Sequence, residues 1–274
     1  MPLELRPLHP DFGVEVIGFD LINGRAPADI EELVRTYDEH SMLLFRGAPR
    51  ISHERHVEIA SWFGPPGPID NAGDGNFVSV LHNEDKAGSM VLPFHSDLTY
   101  TEDPIRAICL QAIALPDKPT STTYVSGAAA WASLPGELRE RLTDKTLRHF
   151  YKSRAGFQDW PDFVAEHPVR LLHPRTGRPV LLVTEMHADR ILEMVEEDSR
   201  AMIELLCSFL YASERRYEHV WQLNDLLMWD NLVLQHARTE QSDPADGPRG
   251  LQRVALSNLT LQQTIDMARA RAAA

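Results

Sequence analysis

Apolar residues lie along this chain in two rhythms, one suited to strands and one to helices. Residues 5–21 read as short strands, with Val14-Glu15-Val16-Ile17-Gly18 alternating before a turn. Residues 29–40 carry Ile30, Leu33, Val34 and Tyr37 at helical spacing. The run Ser41-Met42-Leu43-Leu44-Phe45-Arg46-Gly47 reads as a strand buried on both faces. A second helix is predicted over 52–63, with Ser52 as its cap, Glu54 and Glu58 in its early turns, and Gly64-Pro65-Pro66-Gly67-Pro68 as its stop. Residues 64–76 then form a loop rich in Gly, Pro, Asn and Asp. Further on, the pattern predicts a strand over 107–114 and a helix over 128–142 broken at Pro135-Gly136. It also predicts a strand over 180–183, a helix over 198–211 and a closing strand over 253–261, followed by an Ala/Arg-rich tail over 262–274. Many short strands with helices at intervals give a mixed α/β chain with a β core and helices packed outside it.

Size and composition narrow the class. A chain of 274 residues can bury one sizeable core, and a single domain over 1–274 with its core at 5–261 is expected. The N-terminus shows no basic region followed by an apolar run, and no stretch approaches the roughly 20 apolar residues of a membrane helix. Cys109 and Cys207 sit in apolar surroundings, which suits reduced thiols in a cytoplasmic protein and excludes a disulfide framework. The net charge of −13 argues against nucleic acid and membrane surfaces as partners. It leaves room for a small anionic substrate, because a few buried arginines can set a local field of the opposite sign.

The chemistry centres on Phe94-His95-Ser96-Asp97 and on His236, far along the chain after Trp229-Asp230-Asn231. In an extended stretch, residues i and i+2 face the same way, so His95 and Asp97 can share a ligand site. Two imidazoles and one carboxylate are the facial set that holds non-heme Fe(II) with positions left open for oxygen chemistry. Arg249 and Arg253 follow His236, and a planar guanidinium can grip a dicarboxylate in a bidentate manner.

Here the chain resembles the taurine/2,4-dichlorophenoxyacetate (TauD/TfdA) family of Fe(II)- and 2-oxoglutarate-dependent dioxygenases. The family signature is His-x-Asp, a long interval, His, then ten to thirteen residues and Arg; His95-Ser96-Asp97, His236 and Arg249 fit it, with twelve residues between the last two. The likeness extends through Met42-Leu43-Leu44-Phe45-Arg46-Gly47, Trp62-Phe63-Gly64-Pro65, Leu115-Pro116, Val125-Ser126-Gly127, His173-Pro174-Arg175-Thr176-Gly177 and Trp229-Asp230-Asn231. It implies a double-stranded β-helix (a jelly-roll, cupin-like barrel) with flanking helices and a large insertion between the second and third metal ligands. It also implies Fe(II), 2-oxoglutarate and O2 as cofactor and cosubstrates, with succinate and CO2 released as a small substrate is hydroxylated, cleaved at a C–heteroatom bond or desaturated. Carried over residue by residue, His95, Asp97 and His236 are the metal ligands, while Thr122 and Arg249 hold the distal carboxylate of 2-oxoglutarate. Arg253 and the backbone of Leu98 meet an acidic group of the substrate, with support of the cosubstrate pocket as the other role open to Arg253. Relatives often assemble as homo-dimers or tetramers, so a homo-oligomer is expected.

The departures bear on substrate. Pro119-Thr120-Ser121 stands where relatives commonly carry Gly-Gly-Asp. Around residues 66–70 there is no histidine where the taurine enzyme has one, and Val91 stands in place of its asparagine. Taurine is therefore not the expected substrate, and the pocket near Val91 should be more apolar. Asp70 and Asn71 are candidate contacts for a substrate amine.

Several histidines have simpler readings: His53 and His56 on a solvated helix face, His173 as a turn residue, His187 in a loop or core rather than at the site's rim. The aromatic and basic stretch from His149 to Arg154, with Phe157 and Trp160, is either a substrate wall or a surface cluster. Trp229 and Asn231 are expected to brace the strand leading to His236. Two other classes share the ligand set: a cupin-like zinc or manganese hydrolase or isomerase, in which Arg249 and Thr122 have no purpose, and a non-catalytic binding protein.

Overall fold

The computed structural model describes residues 3–23, 26–67, 77–153 and 160–272. In chain order the elements begin with β1 (Glu4–Pro7), β2 (Val14–Ile17), α1 (Pro27–His40), β3 (Met42–Phe45), α2 (His53–Ser61), β4 (Ser79–His82), α3 (Lys86–Ser89), β5 (Leu92–His95), β6 (Ala107–Ala114) and β7 (Ser121–Ser126). Next come α4 (Gly127–Ser133), α5 (Gly136–Leu142), β8 (Thr146–Tyr151), β9 (Phe163–Pro168), β10 (Arg170–Leu172), β11 (Pro179–Leu181) and β12 (Ala188–Ile191). The chain finishes with α6 (Glu196–Leu210), β13 (Tyr217–Val220), β14 (Leu226–Asp230), β15 (Leu234–Arg238), β16 (Gly250–Leu256) and α7 (Leu261–Ala272).

Two sheets carry the site. One is seven-stranded, in the order β1-β2-β3-β14-β6-β16-β4, and the other four-stranded, in the order β13-β7-β15-β5. The uninterrupted apolar run of β3 is explained by burial on both faces of the larger sheet. Met42 and Leu44 join Leu227, Trp229, Ile108 and Leu110 on one face, packed with Tyr124 and Leu234 of the smaller sheet. Leu43 and Phe45 join Leu226 and Met228 on the other face, under Leu33 and Tyr37 of α1 and Ile59 of α2. No strand pairing links the two sheets among the described residues, so they form two layers and not a hydrogen-bonded closed barrel. Between the second and third predicted ligands, β8, β9 and β12 form a three-stranded sheet, and α4 and α6 share a separate core with it.

The helices follow the sequence closely. Ser52 caps α2 by accepting from the Arg55 N–H, and Pro135 separates α4 from α5. The end of the chain differs. β16 begins at Gly250, pairs with β6 as far as Leu256↔Ala107 and stops there, rather than running over 253–261. A capping box follows: the Gln263 N–H donates to Thr260 Oγ1 and the Thr260 N–H donates to Gln263 Oε1. The expected tail is thus helix α7, which buries Leu261 and Ile265 in the core shared by the two sheets. The helix face at His53 and His56 also divides: His53 is exposed, whereas His56 is fully buried and its Nδ1 lies 2.9 Å from Gln252 Nε2. No helix among the described residues is long and apolar enough to cross a membrane.

Candidate functional site

Strand pairing assembles the three predicted ligands. β15 lies between β7 and β5, and its register sets His236 directly opposite His95. Asp97 follows two residues after His95, and its Oδ1 lies 3.3 Å from His95 Nε2 and 3.6 Å from His236 Nε2. One ligand atom from each residue lies within 4.8 Å of the others. Cis ligands on one metal ion at bond lengths of roughly 2.1 Å stand roughly 3 Å apart, so these atoms need only a small contraction to hold an ion.

The donor chemistry fits an ion as well. His95 Nδ1 lies 2.8 Å from the Pro93 carbonyl, which fixes the Nδ1–H tautomer and turns the Nε2 lone pair toward Asp97. The His236 ring packs against His95, Trp229 and Tyr124 at centroid distances of 4.3, 5.2 and 6.2 Å. Burial first, and then the neighbouring His95, push the His236 pKa down to about 3, leaving the neutral imidazole that a metal requires. Burial opposes ionisation of Asp97. The close contact with His95 and the Arg253 guanidinium outweigh it, holding the carboxyl well below the usual carboxylate range.

Asp97 is secured at both its carboxylate and its backbone. Arg253 Nη2 donates to Oδ2 at 2.6 Å, leaving Oδ1 facing the imidazoles. Asn231 accepts from the Asp97 N–H at 2.9 Å and donates to its carbonyl at 3.0 Å. Leu98 follows with φ +58°, an uncommon conformation for a bulky residue, and its carbonyl accepts from both N–H and Oγ1 of Thr101. The Leu98 side chain packs in the core, so only its backbone is available to a ligand.

A cavity of about 170 Å³ opens beside these ligands, lined by Thr122, Arg238, Arg249, Leu251 and Arg253 as well as His95, Asp97 and His236. Thr122 Oγ1 accepts from Trp221 Nε1 at 3.0 Å. Indole is a donor only, so the threonine's own proton remains to be donated. Arg249 is 4% exposed, and its Nε has no hydrogen-bond partner among the described residues. Burial, and then the nearby Arg238, lower its pKa to about 10. A buried guanidinium in this state suits an anionic ligand.

Other predicted residues fall elsewhere. Val91 is 49% exposed and does not line the cavity, because it precedes β5, whose pairing begins at Leu92↔Arg238; Leu92 lines the cavity instead. Asp70 and Asn71 lie outside the described residues, as do Arg154 and Phe157. His187 stands at the site's rim, with its ring 6.3 Å from His95 and 4.7 Å from Tyr100. Tyr100 stacks on Tyr151 at 4.7 Å, and both belong to a packed aromatic cluster that does not line this cavity. His173 is the turn residue expected: Nδ1 accepts from the Thr176 N–H, and Nε2 lies 2.9 Å from Asp230 Oδ2. Trp229 packs against His236 as anticipated, whereas Asn231 braces Asp97. Arg238, Trp221 and Asn83 were not anticipated. Only Arg238 had a signal, since it lies two residues beyond His236 on one strand and therefore on the same face.

The comparisons with known proteins meet this geometry from another direction. Residues 4–255 match the family model described as "Taurine catabolism dioxygenase TauD, TfdA family". The chain belongs to this TauD/TfdA family. Its curated relatives include an alkylsulfatase of Acinetobacter baylyi, 24% identical over 93% of this chain and 85% of the relative. Another is an alpha-ketoglutarate-dependent 2,4-dichlorophenoxyacetate dioxygenase of Cupriavidus pinatubonensis, 25% identical over 86% of this chain and 92% of the relative. Among solved structures, a taurine dioxygenase from Burkholderia xenovorans superposes with a TM-score of 0.79 at 25% identity, covering 94% of this chain and 91% of the other. AAD-2 in complex with Mn(II) and N-oxalylglycine gives a TM-score of 0.78 at 24% identity, over 94% and 97%. As a TauD/TfdA member the protein is an Fe(II)- and 2-oxoglutarate-dependent dioxygenase, an oxidoreductase that also consumes O2.

Proposed function

We propose that this dioxygenase oxidises a C–H bond of a small, anionic organic substrate held beside His95, Asp97 and His236. The product is hydroxylated, or goes on to C–heteroatom cleavage or desaturation, with succinate and CO2 released. One observation carries this reading: the three ligand atoms converge within 4.8 Å at a cavity that also holds Arg249 and Thr122. The two main sheets are read as the halves of a double-stranded β-helix, supported by the core cluster they share.

In this reading His95 Nε2, Asp97 Oδ1 and His236 Nε2 hold Fe(II), and Arg249 with Thr122 holds the distal carboxylate of 2-oxoglutarate. Bound together, the ion and the cosubstrate supply the activation of O2 that attack on a C–H bond requires. The protein contributes position and exclusion. Arg249 gives a fork, Thr122 gives one donated proton, and the apolar walls of Leu92, Leu110 and Leu251 keep water from the cosubstrate. Arg253, bonded to Asp97 Oδ2, is assigned to supporting the ligand. An anionic substrate is supported by relatives whose names include 2,4-dichlorophenoxyacetate and a sulfate ester.

The test is anaerobic addition of Fe(II) and 2-oxoglutarate to metal-free protein. A weak visible charge-transfer band is expected, and Arg249→Ala should lose it at limiting cosubstrate. Aryloxy carboxylates, sulfate esters and sulfonates are then screened for a shift of that band and for succinate formed on admitting O2. If Fe(II) binds and no band forms, the reading fails.

A further inference from the structure

Two buried asparagines stand behind the two halves of this site, each holding the backbone of one functional residue from both sides. Asn231, fully buried, accepts from the Asp97 N–H through Oδ1 at 2.9 Å. Its Nδ2 donates to the Asp97 carbonyl at 3.0 Å and to the Ile105 carbonyl at 2.8 Å. The loop from Asp97 to Ile105, including the left-handed Leu98, is thereby closed at both ends by one side chain. Asn83, 1% exposed, treats Arg249 in the same way. Its Oδ1 accepts from the Arg249 N–H at 2.9 Å, and its own N–H donates to the Arg249 carbonyl at 3.2 Å. Its Nδ2 donates to the carbonyls of Gly247 at 3.0 Å and Asp243 at 3.4 Å, tying down the loop that delivers Arg249 to the cavity.

We infer that Asn231 and Asn83 are separate positioning residues, Asn231 for the metal ligand Asp97 and Asn83 for the cosubstrate arginine Arg249. The inference rests on the reading of the site as an Fe(II)/2-oxoglutarate centre. Neither side chain lines the cavity itself. Each contributes by removing backbone freedom at a residue whose side chain must arrive within a fraction of an ångström. Asn suits the task because one planar amide presents an acceptor and two donors, matching an N–H and carbonyls on adjacent loop segments. The two clamps lie on different loops and share no partner, so their effects should be separable.

The experiment is a crossed measurement on the full chain with two probes: Mn(II) alone, and N-oxalylglycine added to protein saturated with Mn(II). Asn231→Ala should weaken Mn(II) binding by about ten- to a hundredfold. Once saturated with metal, it should bind N-oxalylglycine within a few-fold of wild type. Asn83→Ala should bind Mn(II) as wild type does and lose about tenfold or more in N-oxalylglycine affinity. Where an alanine variant does not fold, Asn→Ser takes its place, since it keeps a small polar side chain and adds no buried charge. Leu33→Ala, a core truncation under the far face of the larger sheet, controls for stability: it should lower the melting temperature and move neither affinity. If both asparagine variants weaken both probes in proportion to lost stability, or if neither probe responds, the inference is wrong while the proposed function stands. If wild-type protein binds no Mn(II), the reading of the site fails and takes the inference with it.

Discussion

Replacing Thr122 with valine preserves shape and removes one hydroxyl, to which the proposed function adds a second task beside its contact with Trp221. Oγ1 accepts from Trp221 Nε1 at 3.0 Å, and its proton is left to be donated into the cavity that Arg249 lines. A hydrogen bond to a charged carboxylate contributes about 1.5–3 kcal/mol. Thr122→Val should therefore weaken 2-oxoglutarate binding by roughly 10- to 150-fold, at tenfold per 1.4 kcal/mol. The same change leaves the buried indole N–H without an acceptor, at about 1–3 kcal/mol of stability. In a protein of this size that lowers the melting temperature by roughly 2–4 °C per kcal/mol. Thr122→Ser restores both bonds and should recover both quantities. The assay is anaerobic titration of the Fe(II) protein with 2-oxoglutarate, read at the charge-transfer band, beside a thermal melt of the metal-free protein. If Thr122→Val melts lower yet binds 2-oxoglutarate like wild type, the hydroxyl serves Trp221 alone and its assignment to the cosubstrate is refuted.

Three further outcomes are expected. Arg249→Met should abolish 2-oxoglutarate binding while raising the melting temperature of the metal-free protein, because it removes a buried cation that Arg238 crowds; a lowered melting temperature would count against that account. Stability should fall as the solution is acidified. Burial first holds His149 at about 3 and His56 at about 4, against about 6.5 in the unfolded chain, so below pH 6.5 the unfolded state takes up protons that the native state refuses. Each histidine then costs about 1.4 kcal/mol per pH unit, or about 2 kcal/mol at pH 5, and nothing above pH 7. Urea midpoints of metal-free protein at pH 7.5 and 5.0 check this, and His149→Phe should recover its share only at the lower pH. Ile265→Ala in α7 should cost about 2–4 kcal/mol in the same urea assay, whereas a loose C-terminal tail would lose nothing measurable.

The elements legible in the sequence are those whose side chains all obey one rhythm. β6 was placed over its full length because Ala107–Ala114 is apolar almost throughout, and α2 because Ser52 and the proline cluster mark its ends. Within the insertion the strand over 180–183 is legible and corresponds to β11, whereas β9 is not, for a physical reason. In β9 the inward positions are Phe163, Ala165 and His167, and the outward ones include Val164. The alternation exists, but a buried histidine and an exposed valine reverse its polarity. β13 repeats the inversion, with His219 fully buried and Val220 nearly half exposed. His219 is admitted to the core because Asp225, beyond the end of β13, faces its Nε2 at 3.3 Å, a contact that strand alternation does not signal.

At the site, what could be read was side-chain chemistry, and what could not was which groups meet. The two imidazoles, the carboxylate and the arginines announce themselves by type and spacing. Their supports are joined over long separations to backbone atoms or to other side chains: Asn231 to Asp97 across 134 positions, Asn83 to Arg249 across 166, Trp221 to Thr122 across 99. Arg253 shows what this leaves undetermined. Its place four residues after Arg249 on an extended strand puts both guanidiniums on one face, toward the cavity, and goes no further. Only the fold shows that Arg253 takes Asp97 Oδ2, and that contact has a chemical consequence. A carboxylate whose second oxygen is held by a guanidinium presents a single oxygen to a metal. Under the proposed function, it and the two imidazoles would hold the ion and leave positions open for the cosubstrate and O2. A carboxylate free to bind through both oxygens would close one of those positions, so under the proposed function Arg253 would help set how many partners the metal can take.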